Sequence, residues 1–216
     1  MEAETVSIAE GWSVKSTLIM WTLWARVACG QARRAREAQQ AFDHAYGAED
    51  STVGSRALGD EMEAAVAGTC AATFAVEALV RSLATSLPRP AGKETNAARV
   101  ERVLTASVVD PATAGALVDR WRPIITLRNA TVHYDEEERD LGWHPSLLTR
   151  TAVEAQTYNA ESAQAVAQLL IDTLAAVSDQ PTPPIAGALP DAAGLVDELR
   201  PILRPSHEPI RGSGPT

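Results

Sequence analysis

The six residues Arg128-Asn129-Ala130-Thr131-Val132-His133 set a guanidinium, a carboxamide and an imidazole within about two helical turns. Those three groups suit phosphodiester chemistry. Cleavage of RNA by its own 2'-hydroxyl needs a proton taken from that hydroxyl, charge stabilised on the phosphate, and a proton delivered to the leaving 5' oxygen. A histidine near its reference pKa of about 6.5 serves either proton transfer at neutral pH. An arginine stays charged and offers paired donors to phosphoryl oxygens. The asparagine can fix an imidazole tautomer or hold the phosphate. The scheme requires no metal and no cofactor.

Asn129 and His133 are four residues apart and share a helix face, whereas Arg128 is rotated from His133 by roughly 140°. One helix therefore frames only part of a site. A second copy of the same helix would close the other side, so a homodimer is expected. Glu77 stands among Phe74, Val76, Leu79 and Val80, where an ionised carboxylate needs a partner. An ion pair with Arg128 would satisfy it, which makes Glu77 a supporting residue. Arg33, Arg34 and Arg36 form the densest basic patch, either solvated surface or an RNA-steering rim. Against RNA binding stand the five acids between Asp135 and Asp140, unless that loop swings away or pairs with Arg120, Arg122 or Arg139.

The elements that must position these groups read as helices. Ser7 and Glu10 have capping-box spacing ahead of Val14, Leu18, Trp21, Ala25 and Ala28, with the helix continuing toward Tyr46. Trp21 and Trp24 belong on its apolar side, for core or dimer contact. Glu49 to Gly59 reads as a loop, after which Asp60 and Glu63 begin a helix that is apolar almost all round from Ala64 to Ala84. Asn96 to about Ser107 gives a shorter helix, and Asp110-Pro111 caps a segment bearing Leu117, Trp121, Ile125, Arg128 and Val132, kinked or broken at Pro123. After a connection from Asp135 to Pro145, Thr151 and Glu154 open a closing helix that runs to about Val177. No convincing strand is found.

The fold expected is therefore all-α, a four- to five-helix up-and-down bundle over 1–180. A Pro-rich flexible tail or loosely docked arm is expected over 181–216, with a brief helical possibility around Leu195 to Leu203, because that segment holds eight of the 13 prolines. A net charge of -9 argues against long-duplex binding but not against cutting a small RNA. The two cysteines, Cys29 and Cys70, lack metal-ligand spacing, as do His44, His144 and His207. Acids occupy the place of a signal peptide's positive end, and the apolar run Thr17 to Ala25 is too short to cross a bilayer, so a cytoplasmic protein with no membrane association is expected.

The stretch Leu127-Arg128-Asn129-Ala130-Thr131-Val132-His133-Tyr134 resembles the signature of the HEPN superfamily. In those small all-helical domains an arginine, followed by a polar residue that is often asparagine, precedes a histidine by four to six positions. The layout from about Trp12 to Ser178 is similar too, with a long first helix, an apolar second helix carrying a lone acid, and the signature late in the bundle. The resemblance implies a dimer whose two signatures face one cleft and a metal-independent endoribonuclease of defence, toxin–antitoxin or phage-defence systems, with an antitoxin or regulatory protein as a possible partner. By position, Arg128 would hold the scissile phosphate, Asn129 would support it, and His133 would be the acid or base. Some relatives carry a modifiable tyrosine two positions after the histidine. Here Tyr134 follows His133 directly and Asp135 takes that second place. The alternative expectation is a noncatalytic helical dimerisation or interaction module.

Overall fold

The computed structural model describes residues 19–48, 50–132, 142–144, 149–151, 156–179, 181–189 and 192–204. Among them are six helices: α1 Met20–Gly47, α2 Ser51–Ala84, α3 Asn96–Ser107, α4 Pro111–Val132, α5 Ala160–Asp179 and α6 Ala192–Leu203. A short antiparallel pair, β1 Gly142–His144 with β2 Thr149–Thr151, separates α4 from α5. The sequence-based expectation of an all-helical bundle holds, with one helix more than expected. The hairpin escapes a sequence search because three-residue strands are too short to show alternation.

The α1–α2 hairpin is the frame. Small residues let these long helices approach closely: Ala25, Ala28, Ala32 and Ala35 are fully buried on α1. On α2, Gly68 faces them; a Cβ there would lie 3.3 Å from the Gln31 Cβ and 3.5 Å from the Ala32 nitrogen. Further along, Gly54 lies against the Phe42 ring and Ala45. The two helices thus run antiparallel, with position 24 beside 74, 31 beside 68 and 42 beside 54.

α2 begins earlier than its sequence suggests. The Asp50 side chain accepts hydrogen bonds from the Thr52 and Val53 amides at 3.1 and 3.0 Å and caps the helix. The helix then runs through Gly54, Gly59 and Asp60 without a break, so the expected loop over 49–59 and cap at Asp60 are both corrected. Packing of Gly54 and Ala57 against α1 outweighs the low helix propensity of two glycines. Over Thr52–Ala84 α2 is long and apolar enough to cross a membrane by length and composition, and 67% of its most apolar window is buried inside the fold.

α5 is the central helix, burying Val166, Leu169, Leu170, Ile171, Leu174 and Val177 against α1, α2, α4 and α6. Its start is Ala160 rather than the expected Thr151. Asn159 and Ser162 cap it reciprocally, Oδ1 accepting from the Ser162 amide at 2.9 Å and Oγ from the Asn159 amide at 3.1 Å. Buried Glu61 of α2 accepts the Ala160 amide at 2.8 Å, putting a carboxylate at the positive end of the helix. Capping at Ser7 and Glu10 lies outside the described residues.

The segment expected as a flexible tail or loosely docked arm is packed where it is described, over 181–189 and 192–204. Pro181 bridges to Val108, Thr182 donates to the Ser107 and Ala106 carbonyls at 2.9 and 2.7 Å, and Ile185 is buried. α6 then inserts Leu195, Val196, Leu199 and Leu203 into the core. Arg26 of α1 grips Glu198 with two bonds of 2.7 Å. Prolines here punctuate a docked arm.

Candidate functional site

α4 carries Arg128 and Asn129, and its course is fixed by its cap and by its packing. Asp110 accepts from the Ala112 and Thr113 amides at its start, and Pro111 takes the first helical position, where its missing N–H is not needed. Midway, fully buried Trp121 donates its indole N–H to Thr173 Oγ1 of α5 at 2.9 Å. Pro123 lies within the helix without ending it. Ile125, one further turn on, is buried as well, so the helix reaches the α2 surface with Arg128 facing it.

Cys70, Phe74 and Glu77 recur at helical steps of four and three and so share one face of α2. Arg128 reaches that face. Its Nη2 donates to Glu77 Oε1 at 2.5 Å, its Nη1 donates to Asn129 Oδ1 at 2.9 Å, and its guanidinium carbon lies 5.0 Å from the centre of the Phe74 ring. Phe74 is in turn tilted against Trp24 of α1, centroids 5.2 Å apart. The two charged side chains are 11% and 12% exposed, which makes this the most buried ion pair among the described residues. Arg128 Nε is buried and has no hydrogen-bond partner there.

The ion pair expected from sequence between Glu77 and Arg128 is therefore present, and Asn129 stands beside it on the exposed side of the helix. Burial pushes the Cys70 thiol up, and the positive charge of Arg128 pulls it partly back. Cys29, buried in α1, is pushed up to about 12 by burial alone. Neither thiol is poised as a nucleophile. His133 and Tyr134 lie outside the described residues, immediately after the last residue of α4, as do the acids 135–140. Two arginines suggested as partners of those acids are engaged elsewhere: Arg120 with Asp172 at 3.2 Å, Arg122 with Asp119 and Glu101 at 3.4 and 3.5 Å.

The chain matches no family model, no characterised protein and no solved structure. What the site can do has to be argued from its own atoms.

The basic patch on α1 does not act as one unit. Arg33 pairs with Glu37 at 3.5 Å along the helix, and Arg36 donates to the Leu203 carbonyl at 2.9 Å, holding the C-terminal end of α6. Burial lowers the Arg36 pKa. Arg34 is exposed and has no ion pair among the described residues. It lies ten residues, about 15 Å, along α1 from Trp24, which packs on the Phe74 ring. Of the three arginines expected either as solvated surface or as an RNA-steering rim, Arg36 is engaged in holding α6, while Arg33 and Arg34 stay exposed.

Sequence reasoning missed Phe74 and Cys70 as neighbours of Arg128. Their spacing from Glu77 was the available signal. It also missed a second group of cations at the α2–α3 connection, Arg89, Lys93, Arg99 and Arg102, which are scattered in sequence and gather only when the loop folds back. Among the described residues no three His, Cys, Asp or Glu side chains form a metal-binding group.

Proposed function

We propose that the domain is a metal-independent endoribonuclease of the HEPN type, acting as a homodimer with a composite cleft in a cytoplasmic toxin–antitoxin or phage-defence setting. The observation that supports this reading best is the Glu77–Arg128–Asn129 arrangement. It fixes a guanidinium and a carboxamide at the end of α4, directly before His133 in the chain. A catalytic guanidinium on a long, mobile side chain would first have to be ordered; here Glu77 and Phe74 already do that.

In this mechanism His133 of one copy takes the proton from the 2'-hydroxyl and O2' attacks phosphorus. His133 of the second copy gives a proton to O5' as the P–O5' bond breaks, leaving a 2',3'-cyclic phosphate. Arg128 stabilises charge on the phosphoryl oxygens, and Asn129 supports the phosphate. The test is cleavage of a single-stranded RNA by the full chain in EDTA. Wild type should cut, a 2'-deoxy substitution at the cleavage point should block it, and His133→Ala should lose about 100-fold or more while keeping its melting temperature. Undiminished cleavage by that variant rejects the role given to His133.

One observation favours a second reading, a noncatalytic HEPN-like dimerisation or interaction module. Both terminal nitrogens of Arg128 are already hydrogen-bonded, and the side chain is mostly buried. On that reading Arg128→Ala changes stability or dimerisation, followed by analytical ultracentrifugation, and wild type cuts no RNA.

A further inference from the structure

Arg89, Lys93, Arg99 and Arg102 line an open cavity of about 440 Å³ where the chain leaves α2 and enters α3. The cluster is organised by a single acid. Glu94 accepts from Arg102 Nε and Nη2 at 2.9 and 2.8 Å and from Arg99 Nε at 3.1 Å. It thereby fixes two guanidinium groups while cancelling one charge. Arg89 and Lys93 are exposed and have no carboxylate partner among the described residues. Four cations against one acid leave three positive charges at this wall, in a chain whose net charge is -9.

Such crowding of like charge works against folding unless an anion answers it. Two further features narrow the anion. The helix α3 starts at Asn96, two residues after Glu94, adding the positive end of its dipole to the same region. Ala84, Pro88 and Pro90 form an apolar wall beside the cations. A phosphate answers the charges, and a flat base can lie on the proline rings. We propose that this cavity binds a nucleotide through its phosphate, either a free nucleotide or one residue of an RNA strand.

The site is separate from the signature. Ala84 is seven residues along α2 from Glu77, about 10 Å, on nearly the same helix face, with exposed Arg81 between them. It also stands apart from the cleavage proposal, since binding can be measured with His133→Ala protein whether or not the wild type cuts RNA.

The experiment uses the full chain with two probes, ADP by calorimetry and a short fluorescein-labelled RNA by anisotropy, in about 0.1 M salt. The variant is Arg89→Ala/Lys93→Ala, which leaves the Glu94 clamp intact. The control is Arg56→Ala/Arg204→Ala, the same charge change on exposed residues elsewhere. At least one probe should bind wild type and control alike, and the pocket variant about tenfold more weakly. If RNA is the source, the slope of log K against log salt should fall by roughly 1.4 in the variant, and if a free nucleotide is, ADP binding should weaken by that factor while RNA binding is unchanged. The proposal is overturned if neither probe binds wild type more tightly than about 1 mM, or if the control weakens binding as much as the pocket variant.

Discussion

Glu77→Ala is the sharpest probe of the site, because it removes one member of a buried ion pair and strands the other. Arg128 would keep the Asn129 oxygen and the Phe74 ring, but its Nη2 would join an Nε that already lacks a partner. Breaking a fully buried pair from one side costs about 3–5 kcal/mol. The residual exposure of 11–12% and the remaining ring contact reduce this to about 2–3 kcal/mol. For a chain of this size that lowers the melting temperature by about 4–12 °C. Arg128→Ala should cost a similar amount, because it leaves the Glu77 carboxylate beside apolar side chains. The double variant should cost less than the sum of the two by about 2 kcal/mol, since neither charge is then stranded. Urea unfolding followed by circular dichroism and tryptophan fluorescence measures all three. Additive costs, or a loss below about 1 kcal/mol for Glu77→Ala, would show that the pair does not hold α4 to α2. RNA cleavage measured on the same proteins should fall in Glu77→Ala together with stability.

Two other outcomes follow from the packing. Gly59 lies within α2 with open space around its missing Cβ, so Gly59→Ala should raise stability by about 0.5–1 kcal/mol, whereas Gly68→Leu should prise α1 from α2 and lower the melting temperature sharply. Thermal melts of the two variants decide both signs. The hydrogen bonds from Arg26 hold the Glu198 carboxyl below its usual range, so their contribution is whole above about pH 4.3 and is lost as pH falls through the lower folded-state value. The pair is nearly half exposed, so that contribution is under about 1 kcal/mol. Glu198→Gln should therefore melt slightly lower at pH 7 and lose less stability than wild type on acidification, and an unchanged acid limb in a melting-temperature-against-pH series would remove this account.

The helical class was legible because apolar residues recur at three- and four-residue steps through most of the chain. α3 falls where Val100, Val103 and Leu104 put it, and α4 starts at Pro111 because Asp110-Pro111 is local chemistry that tertiary packing does not override. The start of α2 was misread for the opposite reason. Gly54 and Gly59 look like a loop until the Phe42 ring and the α1 backbone are placed beside them. α6 was underestimated because its prolines were counted, while the bonds from Arg26 and Arg36 that dock it span more than 160 residues of sequence and leave no local trace. In the site, a lone acid in an apolar helix demanded a partner, so Glu77 and Arg128 were legible as a pair. Phe74 looked like core, since nothing in one helix says that a guanidinium from another will lie over its ring.

The pair also constrains how a phosphate could enter the proposed cleft. Each Nη of Arg128 already gives one N–H, to Asn129 and to Glu77, so an incoming phosphoryl oxygen can take a remaining Nη N–H or displace an acceptor to gain another, while Nε is buried. Glu77 is the harder acceptor to displace: its bond is charge-assisted and buried, and releasing it would leave a carboxylate without compensation. Asn129 is neutral and exposed, and water can satisfy its amide once it lets go. Exchange at Asn129 therefore frees one more Nη1 N–H while the guanidinium stays anchored on α2. On this account the Glu77 carboxylate on α2 keeps the arginine in place as a phosphate arrives, and Asn129, once released, can turn its own amide N–H toward that phosphate.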